Sequence, residues 1–489
     1  MRFSQLLEQS GLAAEPRDGD VDITAVCADS RRCTEGSVFL ALRGTTQDAH
    51  LFIPQAIDAG AVAVVADDPA TVPNGTPHAI APDTREALGR LAQAIHGWPA
   101  RKLTCIGVTG TNGKSTVTHL LRRMLERVGR SAAMLGTISY ETGGRSIPAV
   151  MTTPEATVIA EMMAEMVDAG VTYCVMEVSS HALDQKRTAG IDFQAAIFTN
   201  LTGDHLDYHG TMEDYFAAKR ELFSGLADDG VAVINRDDEW GGRLAEDTPA
   251  RVVWYGLSEA SDVYGRVDHI DVDGTVLQVH VGDETCPVRS RLIGRHNVYN
   301  ALAAAATVDA LGADAVEALT TLEDVDAVPG RLQRVRAEAG WDVFIDYAHT
   351  DDALANVLSS LRPLTRGRLI VVFGCGGDRD RRKRPRMARI AEELADCIVI
   401  TSDNPRNEDP RAIIADVVAG LSPAAAAKAD VIVERREAIG RAIEMAGEGD
   451  VVLIAGKGHE TYQLARGERT HFDDAEIAAE CIAARGGGA

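Results

Sequence analysis

Thr104-Cys105-Ile106-Gly107-Val108-Thr109-Gly110-Thr111-Asn112-Gly113-Lys114-Ser115 is the natural entry into this chain. Residues 104–108 have the length and composition of a buried strand. A glycine loop follows. Beyond it Val117, Leu120, Leu121, Met124, Leu125 and Val128 recur at helical spacing, which predicts a helix with one apolar face. Between a strand and a helix N-terminus, the backbone N–H groups of such a loop can cradle phosphate oxygens. Lys114 adds a cation for the distal phosphates, and Ser115 a hydroxyl for Mg2+. The full phosphate-loop pattern has one more glycine, at the position held here by Val108. A plain tight turn is the alternative; the strand-loop-helix context favours phosphate.

Strand-like runs continue on both sides. Tyr173-Cys174-Val175-Met176 and Ala195-Ala196-Ile197-Phe198 extend an expected parallel α/β sheet. Ahead of it lie Val38-Phe39-Leu40-Ala41-Leu42 and Ala61-Val62-Ala63-Val64-Val65, then Trp98-Pro99 as a boundary. A third segment starts near Pro329-Gly330. Its strands read Val343-Phe344-Ile345, Leu369-Ile370-Val371-Val372-Phe373, Cys397-Ile398-Val399-Ile400, Val431-Ile432-Val433 and Val451-Val452-Leu453-Ile454. Helical patterns such as 352–361 and 412–421 separate them, a doubly wound, Rossmann-like order. Three α/β domains are expected: 1–99, a central phosphate-loop ATPase-type domain at 100–329, and a Rossmann-like domain at 330–489.

Polar and glycine-rich clusters follow the strands of the last domain. They are Asp346-Tyr347-Ala348-His349, Gly374-Cys375-Gly376-Gly377-Asp378-Arg379, Asp403-Asn404-Pro405-Arg406 and Gly456-Lys457-Gly458-His459-Glu460. Carboxyl ends of parallel strands are where ligands bind in this architecture.

Composition narrows the classes. The 489 residues carry a formal net charge of −24, which disfavours nucleic acid as a partner. Any anionic substrate must be held by local Arg and Lys. The eight cysteines form no CxxC pair, and a reducing compartment without a disulfide framework is expected. The N-terminal MRFSQLLEQSG lacks the apolar run of a signal peptide, and no 18-residue apolar stretch suggests a membrane span. A cytoplasmic protein is expected, as a monomer without membrane insertion.

Other residues carry chemistry less distinctly. Glu177, ending the strand at 173–176, suits a hard cation such as Mg2+, although alone it reads as a solvated strand end. His205 and His209 have the spacing of zinc ligands, but Leu206-Asp207-Tyr208 between them lacks the usual glutamate. Lys219 reads as an ordinary surface lysine on a helix. The cationic run 377–384 is mostly a solvated turn, with a carboxylate or phosphate site as the alternative.

These residues together resemble the Mur ligase family. The match rests on Gly-Thr-Asn-Gly-Lys-Ser (110–115), Met-Thr-Thr-Pro (151–154), Glu-Val-Ser-Ser-His (177–181) and Asn-Leu-Thr-Gly-Asp-His-Leu-Asp-Tyr-His-Gly (200–210). It continues through His296-Asn297-Val298-Tyr299-Asn300, Pro329-Gly330-Arg331 and Asp346-Tyr347-Ala348-His349, with Asp29-Ser30-Arg31 and Gly36-Ser37-Val38-Phe39 near the start. Asp403-Asn404-Pro405-Arg406 is similar to the amino-acid signature of the diaminopimelate-adding members. Asp351 and Ala49 depart from the family's usual Pro and Gly, both in loops.

The resemblance implies ATP- and Mg2+-dependent addition of meso-diaminopimelate to UDP-MurNAc-L-Ala-D-Glu through an acyl phosphate. It implies Gly110, Thr111, Asn112, Gly113, Lys114, Ser115, Thr116, Asn300, Arg331, Asp346 and His349 on ATP. Ser30, Thr152, Thr153, Ser179, Gln185 and Arg187 would hold the UDP-MurNAc-dipeptide. Arg379, Asp403, Asn404, Pro405, Arg406, Gly456 and Glu460 would hold diaminopimelate. Ser115, Glu177, His205 and a carbamylated Lys219 would serve Mg2+, with Lys114, Lys219, His205 and Glu177 as the catalytic set.

The nearest rival is an L-lysine-adding ligase of the same family, which usually lacks the signature arginine. A folylpolyglutamate synthase would not need 403–406. A nucleotide-binding partner that has lost its chemistry would not need Lys114, Glu177, His205 and Lys219 together. A nicotinamide dehydrogenase fails because Gly374-Cys375-Gly376-Gly377 is not GxGxxG at a helix start.

Overall fold

In a computed structural model the described residues are 1–44, 47–337 and 340–486. They form three α/β domains. The first carries a parallel four-stranded sheet in sequence order: β1 (Ala25–Cys27), β2 (Ser37–Leu40), β3 (Ala61–Ala66) and β4 (His78–Ile80). Its helix Thr84–Ile95 is started by the Asp83 carboxylate, which accepts the N–H groups of Arg85 and Glu86. That helix packs against the turn at 186–190, where Lys186 pairs with Asp83 at 2.6 Å.

The second domain is an eleven-stranded sheet. Its strands are β5 (Thr104–Thr109), β6 (Ala132–Leu135), β7 (Ser139–Glu141), β8 (Ser146–Pro148), β9 (Tyr173–Glu177), β10 (Phe193–Phe198), β11 (Val231–Asn235), β12 (Arg251–Gly256), β13 (Val263–Asp271), β14 (Gly274–Val281) and β15 (Glu284–Ser290). They lie in the order β15-β14-β13-β12-β11-β10-β5-β9-β6-β7-β8. From β6 through β12 to β13 every pair is parallel, as expected. The two flanks add antiparallel pairs to this parallel core. The flanking strands alternate buried and exposed residues, β14 most plainly, so they lack the continuous apolar runs that mark doubly covered strands. Helices Lys114–Arg127 and Arg295–Ala310 cover one face together. Ala303 to Ala306 are fully buried, and their small side chains let the second helix approach closely.

The third domain has β16 (Gln333–Val335), β17 (Asp342–Asp346), β18 (Leu369–Phe373), β19 (Cys397–Ile400), β20 (Asp430–Val431) and β21 (Val451–Ala455), ordered β16-β17-β21-β18-β19-β20. All pairs are parallel except β16 with β17. The strand expected at 431–433 is only the edge pair Asp430–Val431. The helix expected at 412–421 runs Pro410–Val418, opened by Asp409 as N-cap with proline at its first position. An unforeseen hairpin, β22 (Tyr462–Ala465) with β23 (Glu468–His471), folds back over the carboxyl end of this sheet.

Candidate active site

The loop after β5 sits as expected between strand and helix. Gly110 has φ 144°, and a Cβ there would lie 1.9 Å from Thr199 Oγ1, so only glycine fits. The segment after β10 braces the loop. Thr199 Oγ1 and Asn200 Nδ2 donate to Asn112 O at 2.6 and 3.1 Å, and Asn112 N donates to Asn200 Oδ1 at 2.9 Å. Thr111 Oγ1 lies 3.2 Å from Thr202 O. Asn300, from the helix Arg295–Ala310, reaches the same place: a Cβ on Gly113 would meet its Oδ1 at 2.5 Å. Thr116 is buried in the first turn of the helix.

Lys114 folds over its own loop, donating to Gly110 O and Thr111 O at 2.9 Å each. Lys219, read as a surface lysine, is 1 % exposed and donates to the same Gly110 O at 2.9 Å. It also lies over the Tyr215 ring, 4.5 Å from the centroid. Burial, and then the neighbouring Lys114 charge, push the Lys219 amine well below the usual lysine range. Lys114 is lowered chiefly by burial, against the pull of Glu177 and Asp204.

Glu177 is buried at the end of β9, not solvated. Its carboxylate accepts from Ser115 Oγ at 3.1 Å, Thr137 N at 2.8 Å and Thr137 Oγ1 at 2.9 Å. Thr137 Oγ1 also lies 3.1 Å from Thr152 Oγ1. Thr153 Oγ1 donates to Glu177 O and accepts from Ser179 N. Arg187 joins this group through Thr153 O at 3.0 Å and holds Gln185 Oε1 with two N–H groups. Ser30 stays on the first domain, bonded to Gln55 at 3.2 Å, and no hydrogen bond among the described residues ties it to the others.

His205 has φ 55° at the start of the short helix Leu206–His209, a strained conformation for a non-glycine residue. Its ring stands edge-on to His181 at 4.8 Å, while His209 bonds Ser180 Oγ. Among the described residues no three His, Cys, Asp or Glu side chains converge to hold a metal unaided. Ser115 and Glu177, one hydroxyl and one carboxylate beside the phosphate loop, do fit Mg2+, which takes few protein oxygens and fills its shell with phosphate and water.

The third domain closes on this centre. Arg331 Nη2 donates to Ser115 Oγ at 3.1 Å, and its guanidinium lies 4.7 Å from the Tyr347 ring centroid. Asp352, unnoticed in the sequence except as a helix residue, accepts Asn112 Nδ2 at 3.0 Å and Thr202 Oγ1 at 2.9 Å. Asp346 spends both oxygens on backbone, Leu332 N and Ala348 N at 2.8 Å each, so it shapes the 329–332 loop. Burial raises its carboxyl above the usual range. His349 bonds Tyr347 O at 2.9 Å, and burial takes its imidazole down to about 4, so it is neutral near pH 7. A cleft of about 1050 Å³ opens nearby between the two domains, lined by Asn297, Leu332, Arg334 and Phe344 among others; Asn297 connects it to Asn300.

The signature 403–406 lies at the carboxyl end of β19, clamped by the β22–β23 hairpin. Arg406 N donates to Leu464 O at 2.9 Å and Gln463 Nε2 to Asp403 O at 2.7 Å. Arg406 has φ 52°, and its guanidinium reaches across to Gly377 O at 2.8 Å. Pro405 is buried, and its carbonyl oxygen lies where a Cβ on Gly377 would be, 2.0 Å away. Gly456 lies against the Asp403 carboxylate, and Asn404 Nδ2 donates to Glu460 Oε2 at 2.7 Å. Arg379 is exposed beside this cluster. Sequence reasoning missed the hairpin, because its alternating short strands are buried on neither face.

The chain matches the Mur ligase family catalytic domain over residues 22–96, the Mur ligase middle domain over 108–308, and the Mur ligase glutamate ligase domain over 330–458. It is 45% identical over 475 residues to the UDP-N-acetylmuramoyl-L-alanyl-D-glutamate--2,6-diaminopimelate ligase of Geobacillus thermodenitrificans, covering 96% of each chain. The enzyme of that name from Syntrophomonas wolfei is 43% identical over 486 residues, covering 99% of each. A solved structure of a protein so named aligns with a TM-score of 0.67 at 34% identity over 95% of both chains. The Thermotoga maritima MurF ligase in complex with ADP shares the fold, with a TM-score of 0.63 at 19% identity over 94% of this chain and 98% of that one. With three family models matched in order and 45% identity over 96% of both chains, this chain belongs to the Mur ligase family.

Proposed function

We propose that the chain is an ATP-dependent ligase joining the D-Glu γ-carboxylate of UDP-MurNAc-L-Ala-D-Glu to the amine of meso-diaminopimelate, in peptidoglycan precursor synthesis. The observation that carries this is one centre with two faces. A phosphate loop with Lys114, Ser115 and Glu177 lies on the central domain, and Arg331 links it to a domain bearing the 403–406 signature. Relatives 45% and 43% identical to it bear the name of that activity.

A carboxylate is a poor acyl donor because oxide is a poor leaving group. ATP supplies the remedy: its γ-phosphoryl passes to the carboxylate, and the resulting acyl phosphate is displaced by the amine, which loses a proton as phosphate departs. Lys114 and Arg331 bring cations to the phosphoryl oxygens. Ser115 and Glu177 would hold Mg2+, which would screen the same charge. His205 stands ready at the edge of this site. Lys219, whose amine burial pushes well below the usual lysine range, can lose its proton, take up CO2 and release a second proton, which would leave a carbamate in place of a cation beside Lys114. Thr152, Thr153, Ser179, Gln185 and Arg187, with Ser30 on the first domain, receive the UDP-MurNAc-dipeptide. Arg379, Asn404, Arg406, Gly456 and Glu460 receive the amino acid. The domains are assigned to 1–99, 100–329 and 330–489. No helix among the described residues is long and apolar enough to cross a membrane; we place the enzyme in the cytoplasm, as a monomer.

Phosphate release with ATP and UDP-MurNAc-L-Ala-D-Glu tests the reading. Release is expected with meso-diaminopimelate and not with L-lysine or without amino acid. Equal release with L-lysine overturns the substrate assignment, and no release with either overturns the activity.

A further inference from the structure

Lys457, in the loop after β21, has no solvent exposure at all. A buried ammonium is costly unless paired. Its Nζ has two hydrogen-bond partners among the described residues, and both belong to the signature site: Asn404 Oδ1 at 3.1 Å and Glu460 Oε2 at 3.4 Å. The Tyr462 ring, 5.6 Å away, covers it from the hairpin.

This arrangement fixes an amide. Asn404 Oδ1 accepts Lys457 Nζ and also Leu464 N at 3.0 Å, which fills both its lone pairs. Turning the amide over would set its NH2 against an ammonium and an N–H. Asn404 Nδ2 must therefore face Glu460, and it donates there at 2.7 Å. One N–H of Asn404 and the Oε1 of Glu460 keep no protein partner among the described residues. A free donor beside a free carboxylate oxygen matches one end of a zwitterionic amino acid, a carboxylate next to an ammonium.

We propose that Lys457 is a positioning residue for the amino-acid substrate: it orients Asn404 and holds Glu460 so that their unused N–H and oxygen face the zwitterionic end. The inference rests on the function proposed above and adds to it the residue that sets the specificity pair. The charged and titratable groups facing Glu460 are Lys457, Asp403, Tyr347, Tyr462 and Arg435. Burial raises the Glu460 carboxyl and Lys457 opposes that rise. Without Lys457 the carboxyl titrates higher still, so the ammonium acceptor is lost at a higher pH.

Lys457→Met tests this by steady-state kinetics as a function of pH. The KM for meso-diaminopimelate is expected to rise by about 30-fold or more, the effect of removing one member of a buried charged pair. Its acid limb should move to higher pH, while the KM values for ATP and UDP-MurNAc-L-Ala-D-Glu stay unchanged. Lys457→Gln, a neutral donor that can still reach Asn404, should recover part of the KM while keeping the displaced acid limb. It also carries the test if the Met variant does not fold. A variant with unchanged amino-acid KM and acid limb, or with equal losses toward all three substrates, overturns the inference. Wild-type enzyme without diaminopimelate-dependent phosphate release would instead overturn the function on which it rests.

Discussion

Two lysine nitrogens, Lys114 and Lys219, aim at a single carbonyl oxygen, that of Gly110. Two ammonium ions so placed repel, and burial of Lys219 leaves no water to screen them. Lys219→Ala is expected to be nearly inactive and partly rescued by a small carboxylic acid in solution. Labelled bicarbonate should give a carbamate carbon signal in wild type that this variant lacks. Signal and activity both surviving in Lys219→Ala would remove the residue from the chemistry. Lys114→Ala should cut turnover by at least ~100-fold, the scale of losing one transition-state donor, with an unchanged circular dichroism spectrum. Arg406→Ala is expected to raise the KM for meso-diaminopimelate strongly, by roughly 30-fold or more, and to leave that for ATP alone. Arg406→Lys should recover only part, because an ammonium lacks the planar fork. Unchanged discrimination against L-lysine in Arg406→Ala would refute that role. Lys114 and Ser115 were legible because a phosphate loop is local in sequence. The burial of Glu177 and Lys219 was not, since it depends on strands and helices far along the chain; Glu177 stood out only as a strand-end carboxylate suited to a hard cation, and Lys219 only through the family resemblance.

At the level of elements, one carboxylate ties together the loops that leave β18 and β19. Glu408 accepts Arg384 through both oxygens, at 2.8 and 3.1 Å, and also Asp378 N and Arg381. Arg384 is fully buried and pairs with Asp416 as well. The Arg384 guanidinium, first, and the Asp378 N–H hold the Glu408 carboxyl down, from 4.5 to about 2. A depressed carboxyl contributes stability above its unfolded value and loses it as pH falls through its folded value. Glu408→Gln should therefore lower the thermal midpoint at neutral pH, and the gap to wild type should narrow as pH drops from 4.5 toward 2. A gap that stays constant over that window excludes this origin. The apolar strands β2, β3, β5, β9, β10, β17, β18, β19 and β21 could be read from the sequence, each within a residue or two, whereas β6, β11 and β12 went unread. The antiparallel flank β13–β15 and the β22–β23 hairpin could not, because half-exposed strands carry a weaker pattern than buried ones.

Across the whole molecule, polar contacts join the central and C-terminal domains, beside the apolar packing of Ile293 into the C-terminal core. Arg331 reaches Ser115, and Asp352 takes hydrogen bonds from Asn112 and Thr202. Arg334 spans from Asp342 of its own domain to Val272 O and Asp273 on the turn between β13 and β14. These polar contacts would open and re-form in the closure expected to bring reacting atoms to about 3–3.5 Å, with Pro329-Gly330 as the candidate hinge. Small-angle scattering curves of free and fully liganded protein should differ. Coincident curves with the compact form already present would make the hinge unnecessary. The position of β5 has a consequence for synthesis. It pairs with β9 and β10, whose residues follow some seventy and ninety positions later, and its loop is braced by 199–202 and by Asn300. A growing chain on the ribosome thus carries Gly110 to Ser115 long before anything holds them in shape. Until residues 199–202 and then Asn300 have emerged, the nascent protein carries the loop sequence without the contacts that give the loop its shape.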